Sequence, residues 1–112
     1  MEIKAGEIVL CQFYFSNLKQ SKNRPVLVFK DNLPYDDFIA IPISSKIKTL
    51  HHDEILLSNE EFIKGEIPVK SKLIVRKTFV VSKNSVLKKY GMLKESEYLR
   101  YHKEFCKYFS CL

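Results

Sequence analysis

Residues 6–29, GEIVLCQFYFSNLKQSKNRPVLVF, carry the reading that decides the fold. Ile8 to Phe15 is almost wholly apolar, and so is Val26 to Phe29, so the stretch reads as two strands joined by a loop. Between them Ser16, Asn17, Ser21 and Asn23 supply turn chemistry, while Lys19, Lys22 and Arg24 make the loop positive. Pro25 has no backbone N–H and suits the first residue of a strand or an edge. It also keeps Arg24 extended. A guanidinium at a rigid loop-to-strand boundary is well placed to hold a phosphate. Composition alone favours an ordinary hairpin with a solvated basic tip.

The charge pattern extends this reading to the rest of the chain. From Ile8 to Lys30 there are four basic residues and no acid; from Ile67 to Lys94 there are eight and again no acid. Asp31 to Glu66 holds eight of the thirteen acids. Such segregation, at a net charge of +6, implies a one-sided positive surface and a polyanionic partner. The 112 residues suit one domain, 1–112, with one modest core. No apolar run approaches the ~20 residues that span a bilayer, and Met1-Glu2-Ile3-Lys4 lacks the layout of a signal peptide. Cys11, Cys106 and Cys111 are odd in number and show no paired ligand spacing, so neither a disulfide framework nor a zinc site is expected. These features together point to the cytosol.

Further along, Asp31 to Asp37 reads as a turn, and Phe38 to Ser44 as a strand with Ile39, Ile41 and Ile43 on one face. Pro42 suggests an edge or bulge there. Ser45 to Asp53 is a polar loop containing His51 and His52, and Asp53 to Leu57 a short strand. Ser58-Asn59-Glu60-Glu61 looks like the start of a short helix that Gly65 and Pro68 end. Leu73 to Val81 reads as the last long strand, with Leu73, Val75, Phe79 and Val81 on one face and Lys72, Ile74, Arg76 and Thr78 on the other. Lys94 to Phe109 is helical by period, with an apolar stripe of Leu99, His102, Phe105, Cys106 and Phe109. Short strands with two apolar faces and one closing helix predict a mainly β (α+β) fold, a strongly curved antiparallel sheet or small barrel.

In their order and spacing, Gly6-Glu7-Ile8-Val9, Phe13-Tyr14-Phe15-Ser16-Asn17-Leu18 and Lys22-Asn23-Arg24-Pro25-Val26-Leu27-Val28 closely resemble the opening of the PemK/MazF family. Lys77-Thr78-Phe79, Lys88-Lys89-Tyr90-Gly91 and the last helix also fall at family positions. The resemblance implies an SH3-like barrel with a C-terminal helix, assembled as a homodimer. It further implies a bacterial toxin that cuts single-stranded RNA, chiefly mRNA, as a metal-independent endoribonuclease without a cofactor. A cognate antitoxin would cover the RNA site, and any link to DNA would run through that antitoxin. Two other readings stay open: a CcdB-like toxin that poisons DNA gyrase through a protein interface, and an RNA-binding barrel that cuts poorly.

Cutting RNA without a metal requires something to take the 2′-hydroxyl proton, stabilise charge on the phosphate and protonate the leaving oxygen. Arg24 can hold a phosphate by two parallel hydrogen bonds, as lysine cannot, and the resemblance gives it a catalytic role. Ser44, closing Pro42-Ile43-Ser44, falls where the family often has threonine; its hydroxyl can donate to the phosphate, or bond its own backbone. Family members often carry an arginine and, two residues on, an aspartate where this chain has Ile74 and Arg76. Arg76 shares the face of the missing arginine on a continuous strand and is the third catalytic candidate. Lys19, Lys22, Ser45, Lys72 and Lys77 are candidates for contacts with the RNA. His51 and His52 read as solvated loop residues, and His102 as a residue packed against the sheet.

Overall fold

The structure is a computed structural model and describes residues 2–14 and 21–111, with Tyr14 described for its backbone alone. Lys19 and the turn residues Ser16 and Asn17 lie outside the described residues. The two apolar runs form β1 (Glu7–Tyr14) and β2 (Ser21–Lys30), an antiparallel pair in register from Ile8↔Leu27 to Tyr14↔Ser21. The second strand therefore begins four residues before Pro25, not at Arg24-Pro25. Pro25 is tolerated because it pairs with Leu10 on one side only; on the other, pairing with the third strand begins at Val26.

That strand, β3 (Asp37–Ser44), is where the sheet bends. One edge pairs with β2 from Lys30↔Ile39 to Val26↔Pro42. The other pairs first with Phe79–Ser82 and then, through Ile43 and Ser44, with Ser71–Ile74. The single strand expected over Leu73 to Val81 is thus two strands with a 3₁₀ turn, Val75–Lys77, at the corner. The reason lies in the hydrogen bonds. Val75 N donates to the Asp53 carbonyl at 3.1 Å and Arg76 N to Asp53 Oδ2 at 3.1 Å, so neither is available to the β3 ladder. Thr78 turns back on Val75 O through its N–H (3.1 Å) and its hydroxyl (2.7 Å).

In chain order β4 is Glu54–Leu57, β5 Phe62–Gly65, β6 Ser71–Ile74, β7 Phe79–Ser82 and β8 Val86–Leu93. The sheet runs β4-β6-β3-β2-β1-β8-β5 with β7 beside β3, and every pairing among the described residues is antiparallel. The last long strand is β8 rather than the 73–81 segment. At Gly65↔Gly91 strands β5 and β8 approach so closely that a Cβ on either glycine would meet the backbone of the other strand, and Gly65 has φ of 75°. The 3₁₀ turn Asn59–Glu61 takes the place of the expected short helix, started by a capping box between Ser58 and Glu61.

Apolar alternation on both faces builds two cores. Ile8, Leu27, Phe29, Ile41 and Ile43 face the helix α1 (Glu95–Tyr108), while Val9, Cys11, Val26, Val28, Phe38 and Ala40 pack on the other side with Ile3 and Val86. Burial pushes the Cys11 thiol up to about 11. The helix buries Tyr101 and packs Tyr98 and Phe105, whereas Leu99 and Phe109 of the expected stripe are exposed. Tyrosine displaces leucine because its hydroxyl finds acceptors: Tyr98 bonds Phe29 O at 2.6 Å, and Tyr101 bonds Leu56 O at 3.1 Å and the Glu61 carboxylate. Left unmet, such a buried hydroxyl would cost about 1–3 kcal/mol. His102 stacks on Phe29 with ring centroids 5.1 Å apart but is itself exposed, so it packs on the sheet by one face only. The result is the expected strongly curved antiparallel sheet, a half-barrel of eight strands closed by a C-terminal helix.

Candidate active site

The site lies where β2 and β3 part company. Their ladder ends at Val26↔Pro42, with Arg24 two residues beyond it on β2 and Ser44 two residues beyond it on β3. Beyond this fork β2 pairs only with β1, while β3 turns to β6. Pro25 and Pro42 mark the rim, each without an N–H to bridge the gap. The opening is a groove of about 670 Å³.

Arg24, Ser44 and Arg76 all line that groove, together with Lys22, Ser45, Lys72 and Lys77. The fold therefore gathers every expected site residue that is described. Six basic side chains (Lys22, Arg24, Lys46, Lys72, Arg76, Lys77) face it against one carboxylate, Glu54, so its field favours an anion. Ile67, Pro68, Val69 and Tyr90 give it an apolar wall.

These groups differ in how far they are already committed. The Arg24 side chain is exposed and makes no hydrogen bond or ion pair with any described residue. Ser44 Oγ accepts from Lys46 N at 3.2 Å, which leaves its own proton free to donate. Lys72 is buried, its Nζ 2.7 Å from Glu54 Oε1 and 2.8 Å from Thr49 O. It braces the groove floor, and its ammonium is occupied there.

Arg76 occupies the corner after β6. It does not point by strand alternation, so it and Lys77 both line the groove instead of facing opposite ways. Its Nη1 contacts Asp53 Oδ1 at 2.9 Å, Asp53 Oδ2 at 3.0 Å and Glu54 Oε2 at 2.9 Å. Nε and Nη2 form no hydrogen bond with the described residues, so one edge of the guanidinium is gripped and the adjoining edge is open. The Glu54 hydrogen bond, then those from Asp53, push the Arg76 pKa up. Neither Asp53 nor Glu54 was visible as a site residue in the sequence. They lie more than twenty positions from Arg76, and only the fold makes them the carboxylates that Ile74-Val75-Arg76 lacks.

Burial alone would raise Glu54, but hydrogen bonds from His51 N–H, Lys72 and Arg76 override it and hold the carboxyl at about 2, below the usual 4.5. Because the folded value is depressed, Glu54 stabilises the fold fully above about pH 4.5 and loses that contribution as pH falls through about 2. Unfolding free energy measured by denaturant should fall between these limits, with one proton adding a slope of up to ~1.4 kcal/mol per pH unit. Glu54→Gln should flatten that slope; an unchanged slope would remove Glu54 as its source.

A family profile described as PemK-like, MazF-like toxin of type II toxin–antitoxin system matches residues 4–109. The chain belongs to this toxin family. A search of curated proteins gives no significant match. Among solved structures, the MazE–MazF complex of Deinococcus radiodurans aligns with a TM-score of 0.76 at 16% identity, over 98% of this chain and 97% of that one. The Mycobacterium tuberculosis toxin MazF-mt6 gives 0.69 at 17% identity, over 93% and 96%. An endoribonuclease with its cognate antitoxin from a mycobacterial species gives 0.72 at 10%, over 99% and 98%. At these identities the likeness is one of fold, and it covers the whole PemK/MazF barrel. Among the described residues no helix is long and apolar enough to cross a membrane.

Proposed function

We propose that this PemK/MazF-family toxin is an endoribonuclease that cuts single-stranded RNA, chiefly mRNA, by attack of the 2′-hydroxyl on the adjacent phosphorus. The observation that carries the reading is the fork itself: Arg24, uncommitted among the described residues, and Ser44 line one groove with the open edge of Arg76. Arg24 and Arg76 stabilise charge on the phosphate, and Ser44 donates a hydrogen bond to it. Lys22 and Lys77 hold flanking phosphates, and the apolar wall suits unstacked bases, the form in which RNA sequence is read. Among the described residues no three His, Cys, Asp or Glu side chains converge as metal ligands.

The expected result is cleavage of single-stranded RNA in EDTA, leaving a 2′,3′-cyclic phosphate or 3′-phosphate and a 5′-hydroxyl. Cleavage abolished by chelation and restored by magnesium would overturn the metal-free mechanism. The solved neighbours in complex with MazE or a cognate antitoxin support an antitoxin partner here, one that contacts any DNA itself. A bacterial cytoplasmic homodimer fits the exposed Ile63, Val80 and Leu99, and light scattering should give the mass of two chains.

A further inference from the structure

The cleavage proposed above needs a group to accept the 2′-hydroxyl proton, and the groove offers few. Arginine and protonated lysine carry donors and no acceptor, and hydroxyls of serine and tyrosine do not hold an extra proton near neutrality. Glu54 is the one carboxylate on the groove among the described residues, yet its side chain is 2% exposed. Oε1 already accepts from Lys72 and His51 N, and Oε2 from Arg76. Residues 15–20, FSNLKQ, contain no carboxylate and no imidazole. What remains is His51, exposed and lining the same groove as Arg24, Ser44 and Arg76.

Its backbone is pinned there. His51 N donates to Glu54 Oε1 at 2.9 Å, Glu54 N returns to His51 O at 2.9 Å, and Lys72 Nζ ties down Thr49 O two residues earlier. The carboxylate that holds Arg76 therefore also anchors the loop carrying the imidazole. Histidine is the side chain whose ordinary titration spans pH 5–8, the range a general base requires.

We propose that His51 is the general base of RNA cleavage, a role that rests on the nuclease reading. Its neutral imidazole nitrogen takes the proton of the 2′-hydroxyl as the 2′-oxygen bonds to phosphorus. The bond from phosphorus to the 5′-oxygen breaks, and that oxygen leaves with a proton from solvent. The products are a 2′,3′-cyclic phosphate, a 5′-hydroxyl and an imidazolium that releases its proton to water. The charged groups facing the imidazole's groove are Glu54 of β4, Lys22 and Arg24 of β2, Lys46 of its own loop, Lys72 of β6, and Arg76 and Lys77 of the corner.

The test compares wild type with His51→Ala on a single-stranded RNA, with the 2′-deoxy analogue as a binding probe. His51→Ala should lower kcat by about 10²-fold or more while binding the uncleavable analogue as wild type does. It should lose the acid-side limb of the wild-type kcat profile and regain activity with added imidazole. A variant with the wild-type rate and pH profile overturns the proposal. So does a slow variant that keeps the pH limb and ignores imidazole, since His51 would then act on structure alone. Wild-type protein that cuts no RNA overturns the nuclease reading, and this inference falls with it.

Discussion

Arg24→Ala should reduce RNA cleavage by about 10²–10³-fold and leave the fold intact. The side chain is exposed at the fork, and it contributes nothing to the described hydrogen-bond or ion-pair network. What β2 needs at this position is the backbone, which pairs with Cys11 of β1 whatever the side chain. Surface truncations of this kind usually change stability by no more than about 0.5 kcal/mol. The phosphate, by contrast, loses a guanidinium none of whose donors is engaged by a described residue. Arg24→Lys should recover little, since an ammonium restores charge without the paired hydrogen bonds. Initial rates on a single-stranded RNA, set beside thermal unfolding of both variants, check this. Wild-type turnover by a folded Arg24→Ala protein would remove Arg24 from the site.

What the sequence could disclose followed from how local each determinant is. β1, β2 and β3 are dense in β-branched and aromatic residues, and both of their faces end in a core, so runs such as Ile8 to Cys11 and Val26 to Phe29 are unambiguous. β8 escaped because Lys88-Lys89-Tyr90-Gly91 has the composition of a loop, and it is a strand only because β1 and β5 flank it. The corner at Val75–Lys77 escaped for a different reason. Val75-Arg76-Lys77 holds no glycine, proline or other turn residue, and what bends it is Asp53, more than twenty positions earlier. The helix was legible by period, but its buried stripe was not. Tyr98 and Tyr101 outcompete Leu99 for the interior through acceptors on β2, β4 and Glu61 that no helical wheel contains. Of the candidate-site residues, Arg24 and Ser44 were legible from motif spacing because each closes or opens a short local run, Lys22-Asn23-Arg24-Pro25 and Pro42-Ile43-Ser44. Asp53, Glu54 and His51 gain their places from tertiary contacts alone.

The Arg76 experiment separates charge from geometry at that corner. Arg76→Ala would remove the cation but also strip a partner from two carboxylates whose side chains are each 2% exposed, so lost activity could reflect a disturbed fold. Arg76→Lys is the discriminating change. An ammonium can still meet Asp53 and Glu54, preserving the pairing that holds the corner. Having met them, it has no second edge to offer a phosphate, whereas the guanidinium grips the carboxylates through Nη1 and keeps Nε and Nη2 open. Arg76→Lys should therefore unfold near the wild-type temperature and cleave about 10²-fold more slowly. Lys77→Ala gives the contrast. Both residues line the groove, so the difference does not come from strand faces. Lys77 is exposed and held by no carboxylate among the described residues, and its loss should lower cleavage only a few-fold, an effect that added salt mimics by screening. Wild-type cleavage by Arg76→Lys would show that a point charge suffices at the corner, and the open guanidinium edge would have no part in catalysis.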